Sequence, residues 1–376
     1  MSKVINQAMG NNWAMYNGDC VEVIKGIPDN SVHLSIFSPP FSNLYTYSDS
    51  MADMGNTVDD FEFFEHFSML VPELFRITKP GRLVAIHCKD LPAYMNRDGY
   101  AGLRDFAGEI IRMMELYNLV SITPPNLEGL SPIEAYQAIT KWQRDTEAKK
   151  PETAGFRFHS RFNVWKDPVI EMQRTKNHGL LHKNFTERGE AVRQGMADYV
   201  LVFRKWPLDE AGESVLHNLK VGDWIGEDAP KEWEYTRGGD NPDKMNRLYS
   251  IASWQRLASP AWNIDIPPVW MDIDQTDVLN YKVAKANEDE KHIAPLQLGL
   301  IERCIQLWTN EGETVFSPFG GIGSEPYVAV KMKRKGVAIE LKPEYYLWAI
   351  KNLQEAERQA GQKTMFDLLD EKEAQQ

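Results

Sequence analysis

Cysteine is scarce. The 376 residues hold three, Cys20, Cys88 and Cys304, far apart and in no CxxC or Cys/His spacing, so neither a disulfide framework nor a zinc site is expected, only buried thiols. No apolar run approaches the ~20 residues of a membrane-crossing helix. The amino end, MSKVINQAMGNNWAMY, lacks the apolar stretch of a signal peptide, and a cytoplasmic protein is expected. Positive charge is in deficit too: 42 Lys and Arg against 54 Asp and Glu leave a net charge of -12. Taken alone, that speaks against a nucleic-acid partner, because phosphate binding rests on Lys and Arg neutralising the backbone. The 21 prolines and 25 glycines follow no repeat. What remains is a globular composition, 43% hydrophobic and 26% charged, at a length suited to two or three domains.

The charge deficit is uneven. Phe156 to Trp206 carries ten Lys and Arg against five Asp and Glu, a local excess that is either a solvated face or a surface for a polyanion.

The pattern along the chain is that of an α/β sheet. A short helix from Cys20 to Lys25 precedes a buried strand, Val32 to Phe37, which two prolines stop. Asp59 to Ile77 carries Phe63, Phe64, Phe67, Leu70 and Leu74 at helical spacing, and KPGRLVAIHCK follows as turn then strand. A helix from Gly102 to Tyr117 and strands at Phe156 to Trp165 and Tyr199 to Arg204 continue the alternation. Residues 120–153 read as an inserted helical arm, its helix starting near Ser131. Residues 207–285 are irregular and hold five of the eleven tryptophans; they read as a separate recognition domain. Regular grammar then resumes with a helix from Ala294 to Trp308, a strand at Thr314 to Phe316, a helix from Glu325 to Lys333, a strand at Gly336 to Glu340 and a helix from Pro343 to about Ala360.

Two motifs carry chemistry. In VFSPFGGIGSE, Gly320, Gly321 and Gly323 follow Phe319 between a strand and a helix, where glycine permits a tight turn and close approach of a ligand to the backbone. Seventeen residues after Gly323 the next strand ends in Glu340, an acid placed to accept from ribose hydroxyls. A dinucleotide and S-adenosylmethionine both fit. The second motif, SPPF, decides between them. Ser38, Pro39, Pro40 and Phe41 end a buried strand at the carboxyl edge, where ligands of open α/β sheets bind. The prolines fix the directions of the Ser38 hydroxyl and the Pro39 carbonyl, and Phe41 offers a flat face. An exocyclic amino group is a poor nucleophile while its lone pair is delocalised into the ring; two fixed acceptors draw its hydrogens out of plane and free that pair.

With both motifs in view, the chain resembles the S-adenosylmethionine-dependent DNA amino-methyltransferases that modify the exocyclic amine of cytosine or adenine, in their circularly permuted β order. There the catalytic motif precedes the cofactor motif, with target-recognition sequence between. SPPF, the Trp-rich middle, HIAPLQLGLIERCIQ, VFSPFGGIGSE and GVAIELKPEYY stand in that order. The resemblance implies a doubly wound, Rossmann-like α/β fold over residues 1–119, 154–206 and 286–360, with the helical arm inserted, a target-recognition domain over 207–285 and a tail over 361–376. It implies S-adenosyl-L-methionine as cofactor. Gly320, Gly321 and Gly323 would surround its methionine part, Glu340 its ribose, and Asp19 with Cys20 its adenine, while His292 and Pro295 begin a flanking helix. One departure stands out. Ser317 occupies the position of the family's usual acid, which leaves the methionine amino group to Glu325 or another acid.

The resemblance also implies double-stranded DNA as partner, on the nucleoid of a bacterial or phage-infected cell. RFNVWKDP resembles the strand lining the target-base pocket, so Trp165 is either core or base platform. Arg174, Lys176 and Lys183 lie in an aperiodic basic loop suited to phosphates, and Arg237, Arg247 and Arg256 in a stretch suited to base edges. Ser at the head of SPPF favours cytosine over adenine within the family. A nicotinamide dehydrogenase and a catalytically silent DNA-binding protein are the alternatives. In the tail, Gln362, Met365 and Phe366 resemble the peptide with which DNA enzymes dock on sliding clamps; the alternative is an amphipathic helix end packed on the catalytic domain.

Overall fold

The computed structural model describes residues 4–42, 52–93, 95–100, 102–116, 125–167, 186, 197–206, 268–280 and 295–361. Its strands are β1 (Asn6–Met9), β2 (Trp13–Asn17), β3 (Val32–Phe37), β4 (Thr78–Cys88), β5 (Leu91–Ala93), β6 (Gly102–Arg104), β7 (Gly155–Val164), β8 (Asp198–Trp206), β9 (Val269–Trp270), β10 (Thr314–Ser317) and β11 (Lys335–Glu340). The helices are α1 (Cys20–Val23), α2 (Asp60–Ile77), α3 (Met95–Asp98), α4 (Phe106–Leu116), α5 (Pro132–Lys149), α6 (Leu298–Trp308), α7 (Ser324–Lys331) and α8 (Pro343–Ala360).

Nine strands form one sheet in the order β1-β2-β11-β10-β3-β4-β8-β7-β9, and β5 pairs with β6 apart from it. The five central strands, β2, β11, β10, β3 and β4, run parallel. Strand β8 is antiparallel to both β4 and β7. The chain therefore leaves β3 in one direction through α2 and enters β10 from the other side of the molecule, which makes the β3/β10 seam a topological switch point where α/β sheets bind ligands.

Helices cover both faces. Helix α2 forms because Phe63, Phe67, Leu70, Val71 and Leu74 recur on one side, and Asp59 caps it by accepting from the Glu62 N–H at 2.9 Å. That stripe packs with Phe106 and Ile110 of α4 against Phe37, Val84 and Ile86, each large apolar side chain contributing roughly 2 kcal/mol by leaving water. On the other face Leu300, Ile301 and Cys304 of α6 and Val328 of α7 meet Leu34, Ile36 and Val315. Helix α8 closes the β2/β11 end through Tyr346, Ala349 and Leu353. All three cysteines are free and buried.

Several elements differ from the sequence expectation. The KPG segment is not a separate turn: β4 begins at Thr78, and Gly81, at φ 75°, sits where the β3/β4 register slips. Residues 102–104 pair with β5, so α4 begins only at Phe106. Val269 and Trp270 extend the main sheet beside β7. Among the described residues no helix is long and apolar enough to cross a membrane.

Candidate active site

Parallel strands bring their carboxyl ends to one edge, so Asn17, Glu340, Ser317, Phe37 and Cys88 finish side by side. Strand β8 runs the other way and contributes its start, Asp198; β7 contributes its end, followed by Trp165 and Lys166. A cleft with about 1130 Å³ of space, counting what opens to solvent, lies along this edge. Ser38, Pro39, Pro40, Phe41, Cys20, Pro295, Phe319, Gly320, Gly321 and Glu340 all line it. Two motifs more than 270 residues apart in sequence thus share one cavity, as the sequence led us to expect.

The glycine turn is built for contact. Gly321 adopts φ 51° with open space beside its Cα, and its N–H donates to Glu340 Oε2 at 2.7 Å. Glu340 Oε1 accepts from the Lys342 N–H at 2.8 Å, so two backbone donors fix the carboxylate. Burial, with Asp53 adding to it, still pushes Glu340 up to about 7. Gly320 has a packing role: a Cβ there would stand 2.9 Å from Met15 Cε and 3.0 Å from the Ala338 Cβ. Gly323, at φ 89°, caps α7 but does not line the cleft; a Cβ on it would meet Ala349 of α8 at 3.1 Å.

The carboxyl side of Ser317 is where the unusual chemistry concentrates. Ser317 is fully buried, and its Oγ has no partner among the described residues. Glu325, in the first turn of α7, lines the cleft at 5% exposure. Its burial, and then the field of Glu340, push it up to about 8. Asp53, which sequence reading overlooked, lines the cleft as well and accepts from the Gly55 N–H at 2.8 Å. Asp19 does not line it: it caps α1, accepting from the Val21 N–H at 3.0 Å, and burial raises its carboxyl. Burial also drives the Cys20 thiol up, leaving it a neutral wall of the cavity.

Around SPPF the neighbours are polar. Ser38 Oγ lies 3.1 Å from His87 Nδ1, and His87 Nε2 lies 3.0 Å from Asp198 Oδ2. Lys166 Nζ is 2.8 Å from the same oxygen. All three of these residues behind Ser38 are buried. Against burial, which would raise it, Lys166 and His87 hold the Asp198 carboxyl well below its usual range. Phe41 is half-buried, its ring 6.4 Å from that of His87 and 6.3 Å from that of Phe106. Trp165, 42% exposed, is not core; the residue after it reaches the site instead.

A sequence model of DNA methylases matches residues 32–351. The chain belongs to the DNA methylase family. The Type II methyltransferase M.BglI of Bacillus subtilis is 22% identical over 91% of this methylase and 85% of that protein. M.BamHI of Bacillus amyloliquefaciens, also a Type II methyltransferase, is 21% identical over 87% of this chain and 54% of its own. The solved PvuII DNA methyltransferase, cytosine-N4-specific, superposes with a TM-score of 0.50 at 15% identity, covering 95% of this chain and 96% of that one, which is a likeness of fold. The methylase is of the amino-directed kind, N4 or N6, and the dehydrogenase alternative falls away. DNA methylases draw their methyl group from S-adenosylmethionine, and the cleft fits such a molecule: an open left-handed glycine, two buried acids and an aromatic wall. His292, Arg174, Lys176, Lys183, Arg237, Arg247, Arg256, Gln362, Met365 and Phe366 lie outside the described residues. Among the described ones no group of three His, Cys, Asp or Glu is arranged to hold a metal.

Proposed function

We propose that this methylase transfers a methyl group from S-adenosylmethionine to the exocyclic amino group of a cytosine flipped out of double-stranded DNA, at a specific site and within a Type II modification system. The observation that carries this is the sharing of one cleft by Ser38 and Pro39 with Gly321 and Glu340. Bound there, the cofactor supplies an electrophilic methyl group on a cationic sulfur. Glu340, its carboxylate already oriented by two N–H donors, keeps lone pairs for ribose hydroxyls. Glu325 faces the methionine end, where a cationic amino group would favour its ionised form, the proton leaving to water, so that Glu325 takes over the role lost at Ser317. Cys20 and Asp19 flank the adenine, with the Asp19 contribution passing through α1. Ser38 Oγ and the Pro39 carbonyl accept from the target amine and Phe41 backs the base; flipping is required because the amine is out of reach inside the stack. Catalysis is then mainly positioning.

DNA contact is assigned to Trp165, exposed after β7, to Arg174, Lys176 and Lys183 for phosphates, and to Arg237, Arg247 and Arg256 for base edges. The tail is assigned to a sliding clamp through Gln362, Met365 and Phe366; a peptide of residues 360–376 that fails to bind purified clamp removes that assignment. The reaction itself is tested by incubating unmethylated DNA with labelled S-adenosylmethionine and separating the nucleosides by mass. N4-methyldeoxycytidine is expected. N6-methyldeoxyadenosine would overturn the choice of base, and no methylated nucleoside would overturn the function.

A further inference from the structure

Ser38, His87, Asp198 and Lys166 form a connected chain of polar groups that leads from the cleft into the protein. Ser38 faces the cavity. His87 and Asp198 are 7% and 5% exposed, and Lys166 is 4% exposed. Their order of contacts fixes the proton positions. Asp198, paired with Lys166 at 2.8 Å, is an acceptor, so His87 Nε2 carries a hydrogen and donates to it. In the neutral ring Nδ1 then holds a lone pair, and the Ser38 hydroxyl at 3.1 Å donates to it. Both lone pairs of Ser38 Oγ are left for the cleft. A nucleophilic serine is a poor reading of the same groups, because the two residues after Ser38 are prolines and lack the N–H that an oxyanion hole takes from there.

We propose that His87 and Asp198 act as a proton relay behind Ser38, orienting its hydroxyl as an acceptor and taking up the proton that the target amine sheds. This rests on the proposed function and adds to it a destination for that proton. As the exocyclic nitrogen forms its bond to the methyl carbon, the old bonding pair stays with the donor sulfur and the nitrogen gains a positive charge. One N–H proton passes to Ser38 Oγ while the Ser38 hydroxyl proton passes to His87 Nδ1. The resulting imidazolium lies against the Asp198 carboxylate and later returns its proton to water. Without such an acceptor a cation would be left on the nitrogen in a partly dry cavity, where charge is costly. The charged groups that bear on the ring are Asp198 on β8, Lys166 after β7 and Lys89 beyond β4, the last through its field on Asp198. His87 works through Ser38 and is a positioning residue.

The test is single-turnover methyl transfer with enzyme in excess, tritiated S-adenosylmethionine and unmethylated bacterial genomic DNA, from pH 5.5 to 9. The wild-type rate constant is expected to fall at acid pH along a one-proton limb, as the imidazole loses its acceptor. His87→Gln is expected to be roughly 10- to 100-fold slower and to lack the limb, with the KM for DNA and the calorimetric Kd for the cofactor within about twofold of wild type. A full rate in that variant, or a persisting limb, overturns the relay, as does a pH-independent wild-type rate. If His87→Gln does not fold, Lys166→Met decides. Removing the ammonium strengthens the hold of Asp198 on the imidazolium, so the limb must move to higher pH, and an unmoved limb overturns the relay. A wild-type protein that methylates no amino group sinks the proposed function and the relay with it, whereas one that methylates with a flat profile sinks the relay alone.

Discussion

Glu325 and Glu340 share the cleft at the carboxyl edge, and on top of burial the field of Glu340 raises Glu325 while that of Asp53 raises Glu340. The sign of the consequence follows from linkage. With Glu325 raised from 4.5 to about 8 in the fold, the folded chain holds a proton between those values that the unfolded chain has lost, so stability falls as pH rises through that window. Glu325→Gln removes the penalty. It should raise the melting temperature of the cofactor-free protein at pH 8 by ~2–4 °C and leave it unchanged at pH 4. The same substitution should weaken S-adenosylmethionine binding by roughly tenfold, about 1.4 kcal/mol, measured by calorimetry. Equal melting curves at both pH values would show that Glu325 carries no such burden. At this scale the sequence was readable where chemistry runs along consecutive residues: SPPF and FGGIG announce themselves because proline and glycine dictate backbone geometry. His87 and Asp198 did not, because 111 residues separate them and only the antiparallel β4/β8 pairing brings them together.

Among elements, the long amphipathic helices were legible to within a few residues, since their apolar spacing and caps are local; α8 spans Pro343–Ala360, as expected. The β1–β2 hairpin was missed although Gly10, Asn11 and Asn12 mark its turn and β2 alternates buried and half-buried residues. It matters to the site, since β2 delivers Asn17, whose side-chain amide donates to the carbonyls of Glu340 and Leu341 at 2.9 and 3.0 Å. Helix α5 is the opposite case. It buries Thr146 alone, so its order comes from its ends: the Ser131/Glu134 capping box at one, and Lys150 bridging to Glu115 at 2.9 Å at the other. Ser131→Ala should therefore fray its first turns at a cost of about 1 kcal/mol. Hydrogen exchange in residues 132–136 should rise while the global melting temperature and cofactor affinity stay put; a lowered melting temperature would mean that the arm is part of the core's cooperative unit.

For the whole molecule, a net charge of -12 and a DNA substrate are reconciled by distribution, since Phe156 to Trp206 carries ten Lys and Arg against five Asp and Glu. Replacing Arg174 and Lys183 together by Ala should weaken binding to every DNA sequence alike. It should also reduce the slope of log affinity against log salt by about 1.8, near 0.9 for each phosphate no longer neutralised. An unchanged slope would remove these two residues from the phosphate contacts. A last consequence concerns synthesis on the ribosome. Strand β3 neighbours β10, and the Thr314 N–H donates to His33 Nδ1 at 3.1 Å across 281 positions of sequence. The chain also closes on its own beginning, where Glu357 of α8 accepts from the Asn11 N–H at 2.7 Å and from the Trp13 indole at 3.1 Å. A nascent chain thus carries an unpaired, apolar β3 edge until its last quarter emerges, the kind of edge that recruits other strands. Expression of this methylase should accordingly depend on chaperones that shield half-made sheets.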